Sequence, residues 1–539
     1  MGSPFVLRYA NNDKLYIYDV NTNCILEVDK ALFTLIDHVQ ITSDSAEVIA
    51  EPGLEQVARD ASLTDETVNK TLETIKDAHS KHRLFSDQRP TGMKFPFTKD
   101  ELRIILSSVL CRLILGITEN CNLRCAYCKY TGTYQFGRTH SSKQMTEATA
   151  LEAVRFLMDH SSYIINETDE PISITFYGGE PFLNFPIIQS CVSFVNEHFP
   201  ARRPRLLLAL TSNLTTRRDD ILEYVVRNGI DVTVSLDGPQ LIQDRYRVSA
   251  NGAGTFSQVR KNLETLRRLD DKYYQEKVSF SVVVTPPYDL EAVVDFFEHD
   301  DLVRDHTRLV AYADPSYTTF YNRFDMSAER NALGGQMDRL RRRLNDGIKD
   351  GSETSASALA SFAGGSLKHV VRRNAGRMSP TLYPNGVCLP GAHRTFVTPD
   401  AKLYMCERVG EALPIGDLEN GFDIEAIHQA LQRYMEVSTA CLDCWAVRLC
   451  GACFMAGLRG PELCESAKGN FCGPLRRATL LALKQYSELM QSNAEALKSA
   501  FANVVELGST LDLAKGCLEH HLRQGPSNAV QVAAIAGAA

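Results

Sequence analysis

Three cysteines, Cys121, Cys125 and Cys128, stand at a C-x3-C-x2-C spacing within I-T-E-N-C-N-L-R-C-A-Y-C-K-Y, residues 117–130. An iron–sulfur cube has four irons, and each normally takes one thiolate. Three thiolates leave one iron open to a substrate or cofactor, as the free position does at a catalytic zinc. Zinc itself uses similar cysteine spacings but gives no reason for Tyr127 inside the motif. A second field holds eight cysteines: Cys388, Cys406, Cys441-x2-Cys444-x5-Cys450-x2-Cys453, Cys464 and Cys472. Eight thiolates can hold two cubes of four or two structural zincs, and metal analysis separates these. The remaining Cys24, Cys111, Cys191 and Cys517 are scattered and read as small apolar residues.

The elements that must position these cysteines are legible in part. The apolar run Arg112–Thr118 reads as a buried strand feeding the first cysteine loop. Further strands are expected at Ile172–Tyr177, Arg205–Thr211, Asp231–Leu236, Lys277–Thr285 and Thr307–Tyr312. Helices are expected between them at Thr146–His160, Pro186–His198, Arg218–Asn228, Phe256–Leu269 and Asp289–His299, with Gly229 as a C′ glycine. Strands alternating with crossover helices imply a parallel sheet, whose ligands bind at the carboxyl ends of the strands. Tyr177-Gly178-Gly179-Glu180-Pro181, Thr211-Ser212-Asn213 and Ser235-Leu236-Asp237-Gly238-Pro239 occupy three such ends.

Ahead of this region, Phe5–Tyr9, Leu15–Asp19 and Ile25–Val28 read as short strands with a turn at Asn21–Asn23. Ala31–Val39 and Asp65–His79 read as helices, the second capped by Thr64. Residues 88–100 read as a Pro-rich linker, 327–350 as a charged exposed helix and Ser352–Ser366 as a flexible link. Helix is expected from Pro474 to roughly His521, followed by a frayed Ala- and Gly-rich end.

The chain has 539 residues, 44% of them hydrophobic, so several cores are expected. Its formal net charge of −8 points away from nucleic acid. No apolar run approaches a membrane span, and the first residues lack a signal-peptide pattern, so a cytoplasmic protein without disulfides is expected.

The first motif resembles that of the radical S-adenosylmethionine (radical SAM) enzymes, C-x3-C-x-aromatic-C after the first barrel strand. Asn120, Asn122 and Leu123 match the C-N-L-x-C form of a large subset. The resemblance implies that Cys121, Cys125 and Cys128 hold a [4Fe-4S] cluster whose open iron is chelated by SAM. One-electron cleavage of SAM would then give a hydrogen-abstracting adenosyl radical. It also implies SAM contacts from Tyr127, from the G-G-E motif (Gly178, Gly179, Glu180), and from Ser212, Asn213, Ser235 and Asp237. Arg247, or Arg245 beside it, would pair with the SAM carboxylate.

The second cysteine field resembles the twin-cluster SPASM domain, with departures. Only Gly451 and Ala452 separate Cys450 from Cys453, Ala401 stands where a glycine is usual, and Cys464 has no fixed place. The family's interleaved ligation would put Cys388, Cys406 and Cys453 on the nearer cluster, completed by Cys464 or left open to a peptide cysteine. Cys441, Cys444, Cys450 and Cys472 would hold the distal one, giving three [4Fe-4S] clusters with SAM.

The N-terminal unit is similar in pattern to the leader-binding elements of ribosomal-peptide maturases, which add a peptide as a strand to a sheet edge. A capping unit without a ligand is the alternative. The fold class expected is α/β: a partial (β/α)6 radical SAM barrel with an N-terminal winged-helix-like peptide-recognition module and a C-terminal cluster-binding SPASM domain. The boundaries expected are 1–90 recognition module, 91–110 linker, 111–325 barrel, 326–380 helical linker, 381–480 SPASM domain and 481–539 helical tail.

C-N-L-R-C-A-Y-C-K-Y-T-G-x-Y, Arg138-Thr139-His140-Ser141 and Cys441-Leu442-Asp443-Cys444-Trp445-Ala446 look most like maturases of cysteine-rich peptides, the sactipeptide and ranthipeptide group. That likeness implies thioether bridges installed in a precursor peptide whose leader docks on the first module. It also implies an electron donor such as flavodoxin or ferredoxin. Two alternatives share the scaffold: a carbon–carbon peptide crosslinker, and a sulfatase-type formylglycine-generating maturase. In the latter, Glu407, directly after Cys406, would stand where a catalytic Asp base is usual.

Overall fold

The computed structural model describes residues 2–41, 48–135, 137–315, 318–353, 357–501 and 510–524. At the N-terminus β1 (Val6–Asn11), β2 (Lys14–Asp19) and β3 (Cys24–Val28) form an antiparallel sheet. Asn12 and Asp13, both at positive φ, make the first two-residue turn, as side chains with short polar groups can. Three helices follow: α1 (Lys30–Leu35), α2 (Leu54–Asp60) and α3 (Asp65–His82), the last capped by the Thr64 hydroxyl.

Because side chains alternate across a strand, Ile17 and its neighbours Tyr16 and Tyr18 face opposite ways. Ile17 packs with Leu35, Ile36, Ile75 and Phe85 under the helices. Tyr9, Tyr16 and Tyr18 pack on the other face against Val447 and Leu449 of the cysteine-rich region and Leu483 of the helix Glu465–Ala500. The unit is therefore sandwiched onto the rest of the chain: Tyr9 Oη and Ser487 Oγ are hydrogen-bonded at 2.7 Å, and Arg448 Nη1 donates to the Asn21 carbonyl at 2.9 Å.

Six parallel strands form the centre: β4 (Arg112–Thr118), β5 (Ile172–Gly178), β6 (Leu206–Ser212), β7 (Asp231–Ser235), β8 (Val278–Val284) and β9 (Arg308–Tyr312). Neighbours in sequence are neighbours in the sheet, and all five pairings are parallel. β4 is buried almost throughout, as strands covered on both faces are.

The sheet does not stop there. β10 (Arg394–Val397) pairs in parallel with β4, and β11 (Lys402–Tyr404), β12 (Pro414–Asp417) and β13 (Gly421–Phe422) continue it antiparallel. β4, which carries the first cysteine loop, is thus hydrogen-bonded on one side to the strand that carries G-G-E. On its other side it is bonded to a strand of the second cysteine region.

Several expectations are corrected. The stretch 91–110, expected as linker, contains α4 (Lys99–Leu106), closed by a Thr98–Glu101 capping box and burying Leu102, Ile105 and Leu106. Its Gly92–Met93 also pairs with Thr381–Leu382. The charged helix Met326–Asp350 buries one face through Leu340, Leu344 and Ile348. Within the stretch expected to be flexible, 354–356 lie outside the described residues. Ala358–Ala363 is a buried helix, because Leu359 and Phe362 three positions apart outweigh the Ser and Gly around them. The helix expected from Pro474 begins at Glu465 and runs to Ala500, with Pro474 inside it and a break at Asn493; Thr510–Gln524 follows. The tail expected to fray, 525–539, lies outside the described residues.

Candidate functional site

The loop after β4 is moulded by the glycines after β5. A Cβ on Gly178, which has a φ of +139°, would stand 2.1 Å from the Thr118 carbonyl oxygen. The backbone then locks: Gly179 N–H donates to Thr118 O at 2.8 Å and Glu180 N–H to Asn120 O at 2.9 Å. The G-G pair was expected to admit a ligand; in the fold it admits the cysteine loop itself.

That loop gathers Cys121, Cys125 and Cys128 with Leu123, Tyr127 and Phe320 in one small core. Backbone N–H groups address two of the sulfurs, Leu123 N to Cys121 Sγ at 3.4 Å and Tyr130 N to Cys128 Sγ at 3.4 Å. Burial pushes the Cys121 thiol up to about 12 and the Cys125 thiol to about 11, the latter opposed by the Arg247 charge. Burial also raises Cys128, against the Tyr130 N–H.

From β6, Asn213 Nδ2 reaches Asn122 Oδ1 at 2.9 Å and Cys121 Sγ at 3.8 Å. Glu180, almost fully buried, accepts from Ser212 Oγ at 2.8 Å, Asn213 N at 2.8 Å and Phe182 N at 3.1 Å. Burial outweighs those bonds and raises its carboxyl to about 7. G-G-E and the Ser212–Asn213 strand end are therefore one hydrogen-bonded unit with the cysteine loop.

The end of β7 supplies a second unit. Tyr127 Oη donates to Asp237 Oδ2, and Arg247 Nε donates to the same oxygen at 3.0 Å while lying 5.6 Å from the Tyr127 ring centroid. Asp237 Oδ1 accepts from Val283 N at 3.0 Å. Tyr127, Asp237 and Arg247 are all buried. Burial and the Asp237 charge hold the Tyr127 phenol well above its ordinary value. Arg247 thus already has a carboxylate partner in Asp237. Arg245 instead donates to the Pro287 carbonyl at 2.8 Å on the exposed side. Ser235 stands in register with Ser281, short of this network.

The second field divides in two. Cys441, Cys444, Cys450 and Cys472 line one cavity with Tyr434, Lys468 and Arg476. Cys388 and Cys453 lie within each other's electrostatic reach, and Cys388 and Cys406 share Arg394 and Glu407 as charged neighbours. Cys464 has Ser466, Arg459 and Glu462 rather than a cysteine as its main neighbours. It caps the helix Glu465–Ala500, with its sulfur 3.5 Å from Ser466 Oγ, and that bond lowers the thiol below its ordinary value. Among the described residues no three cysteine sulfurs lie within 4.8 Å of one another.

Glu407 follows Cys406 at the join between the two regions. Its Oε1 accepts from Arg394 Nη1 at 3.5 Å, and its Oε2 is buried without a partner. Arg138, to which sequence reasoning gave no role, pins this join. It donates to Glu407 O at 3.1 Å and Gly410 O at 2.5 Å, with its guanidinium 4.3 Å from the Phe396 ring centroid. No spacing rule marks such a residue, because its partners are backbone carbonyls about 270 positions away.

The family model of the radical SAM superfamily matches residues 115–299. Residues 115–299 are a radical SAM domain. The domain holds the cysteine loop, G-G-E and the Tyr127–Asp237–Arg247 network together, and it implies a [4Fe-4S] cluster and SAM. Among curated proteins, the chain is 30% identical over 165 residues to a cysteine-type anaerobic sulfatase-maturating enzyme of Clostridium novyi, covering 30% of this chain and 42% of that one. It is 24% identical over 159 residues to the radical SAM cyclopropyl synthase TigE of Paramaledivibacter caminithermalis, covering 28% of this chain and 32% of that one. The matched stretch thus spans less than half the length of either relative. Among solved structures, native anSMEcpe with bound AdoMet and Cp18Cys peptide shares the fold, with a TM-score of 0.50 and 19% identity, over 73% of this chain and 99% of that one. The likeness extends past the radical SAM domain. Among the described residues no helix is long and apolar enough to cross a membrane.

Proposed function

We propose that the chain is a radical SAM peptide maturase that installs thioether crosslinks, from cysteine sulfur to carbon, in a ribosomally made cysteine-containing precursor peptide. The observation that carries the reading is the division of the second cysteine field. The neighbours of the Cys464 sulfur are Ser466, Arg459 and Glu462 rather than cysteines, which supports reading Cys388, Cys406 and Cys453 as three thiols for a cluster of four irons, and a peptide thiolate is a ligand such iron takes readily. When bound, SAM and a reduced cluster supply a one-electron cleavage that yields a hydrogen-abstracting radical.

The chain's own residues do the rest. Cys121, Cys125 and Cys128 hold the first cluster, with Leu123 and Tyr130 N–H groups placed to stabilise thiolate charge. Glu180, kept in position by Ser212 and the Asn213 amide, receives the SAM amino group. The Tyr127–Asp237–Arg247 network fixes the far side of the loop and keeps water out. Cys441, Cys444, Cys450 and Cys472 would hold a distal cluster, which would supply a one-electron relay, and an electron donor such as flavodoxin or ferredoxin would reduce the first cluster. The outer edge of β3 receives the leader peptide as an added strand.

A second reading is favoured by the curated relatives, several of which are sulfatase-maturating enzymes. In it, Glu407 Oε2 is the base and the product is formylglycine. Tandem mass spectrometry of the co-expressed peptide, with and without alkylation, separates the two. A thioether removes two hydrogens and one alkylatable thiol per bridge. Loss of the hydrogens with every thiol still alkylatable would point to a carbon–carbon crosslink, and loss of the sulfur itself to formylglycine.

A further inference from the structure

Lysine is almost never fully buried unless paired, yet Lys468 is 5% exposed. It sits in the helix Glu465–Ala500, one turn before Cys472, whose thiol donates to the Lys468 carbonyl at 3.4 Å. Its Nζ donates to Ser438 Oγ and lies 4.4 Å from the Tyr434 ring centroid. The Ser438 hydroxyl in turn donates to the Tyr434 carbonyl at 2.5 Å, so its lone pairs face the ammonium. Neither partner carries a negative charge. Among the described residues Lys468 has no ion pair with a carboxylate, and it lines the same cavity as Cys441, Cys444, Cys450 and Cys472. A buried ammonium without a counter-charge costs several kcal/mol, and the groups here able to supply one are the four cysteines as thiolates.

We propose that Lys468 is a positioning residue that balances the charge of the cluster held by Cys441, Cys444, Cys450 and Cys472 and raises its reduction potential. The proposal rests on the reading above that this cavity holds an iron–sulfur cluster. Reduction adds one negative charge to the cluster. A fixed cation in a site with few other charges stabilises the reduced form over the oxidised one, since surrounding charge sets such potentials. Ser438 and Tyr434 hold the ammonium toward the sulfurs. Arg476 also borders the cavity but is exposed, so solvent screens its effect.

The test is an EPR-monitored redox titration of the full-length, anaerobically reconstituted protein. The relevant wave is the one lost in Cys444→Ala. In Lys468→Met that wave is expected to fall by at least a tenfold change in the reduction equilibrium, about 59 mV for one electron. Lys468→Arg should restore most of the shift, Arg476→Gln should give a smaller one, and the other waves should stay in place. An unmoved wave in Lys468→Met, or an equal fall in Lys468→Arg, overturns the proposal. If Lys468→Met does not load this site, Ser438→Ala carries the test. That variant frees the ammonium to leave the cavity and must lower the same wave, and an unmoved wave again overturns the proposal. Zinc on these four cysteines, found by metal analysis before any variant is titrated, would instead refute the cluster reading and the proposal with it.

Discussion

A Cβ on Gly179 would stand 2.1 Å from the carbonyl oxygen of Asn120, the residue immediately before the first cluster cysteine. Backbone cannot yield at that distance as a flexible side chain can. Gly179→Ala should therefore push the cysteine loop off β5, at a cost of about 1–3 kcal/mol typical of overpacking. The expected readout is iron content lower by one cluster per chain, with weakened SAM binding. Gly92→Ala, where no atom lies within 4 Å of the added carbon, should leave both unchanged.

Asp237 is the buried counter-charge of Arg247, joined to it at 3.0 Å. Removing one partner of a buried pair leaves the other uncompensated, at about 3–5 kcal/mol. Asp237→Asn should lower the urea midpoint accordingly. Tyr127→Phe, which removes one hydrogen bond, should cost only about 1 kcal/mol. Asp237→Asn combined with Arg247→Met should recover much of the loss, and a double variant as unstable as the single one would contradict the pairing.

The six central strands were legible as short runs rich in apolar residues, three of them closed by Gly178, Ser212 and Ser235, and the five crossover helices because their apolar faces repeat at helical spacing. The first cysteine motif was legible by its spacing, and G-G-E through the family resemblance that this spacing and Tyr127 raised. What escaped was everything set by contacts far apart in sequence. The continuation of the sheet from β4 into β10 joins Arg112 to Arg394, and no local pattern announces it. The burial of Ala358–Ala363 hid behind a Ser- and Gly-rich composition. The roles of Arg138 and Lys468 depend on a carbonyl and a hydroxyl that periodicity cannot locate.

One departure from the twin-cluster pattern has a physical consequence. Ala401, where a glycine is usual, sits at a φ of +61°, a left-handed conformation that strains a residue with a Cβ. Ala401→Gly should stabilise the turn between β10 and β11 by about 0.5–1 kcal/mol, the relieved strain exceeding the added chain entropy of glycine. Comparing the unfolding midpoints of the two proteins at one pH checks this, and a destabilised variant would show that the turn tolerates alanine without strain.

His393 should give the fold an acid-sensitive step. Burial, with the Arg112 and Arg394 charges adding to it, lowers its pKa from 6.5 to about 4, and its Nδ1 has no partner. Between those values the folded chain binds fewer protons than the unfolded one, so stability falls as pH falls. The contribution is fully present above pH 6.5 and is lost toward pH 4. From pH 7 to 5 the loss is on the order of 2 kcal/mol. His393→Gln removes the titration, so the stability gap between wild type and variant should shift by that amount in favour of the variant at pH 5. A gap independent of pH would mean that His393 titrates normally.

The cysteines should separate by function when replaced one at a time. Cys125 shares its loop with two other thiols, and a cube cannot assemble on two. Cys125→Ala should therefore abolish reductive cleavage of SAM. Cys472 lines the distal cavity with Cys441, Cys444 and Cys450. Its replacement should remove one cluster's iron and end peptide modification while some uncoupled SAM cleavage persists, because the radical SAM loop is left intact. Cys464 is the informative third case. Its sulfur lies 3.5 Å from Ser466 Oγ, with Arg459 and Glu462 as its charged neighbours. Cys464→Ser should leave iron, sulfide and peptide modification at wild-type levels. Iron and sulfide assays on the three variants, run beside SAM-cleavage and peptide assays, decide the matter. A lost cluster in Cys464→Ser would make Cys464 the fourth ligand beside Cys388, Cys406 and Cys453, close the nearer cluster to a peptide thiolate, and remove the main support for the thioether reading.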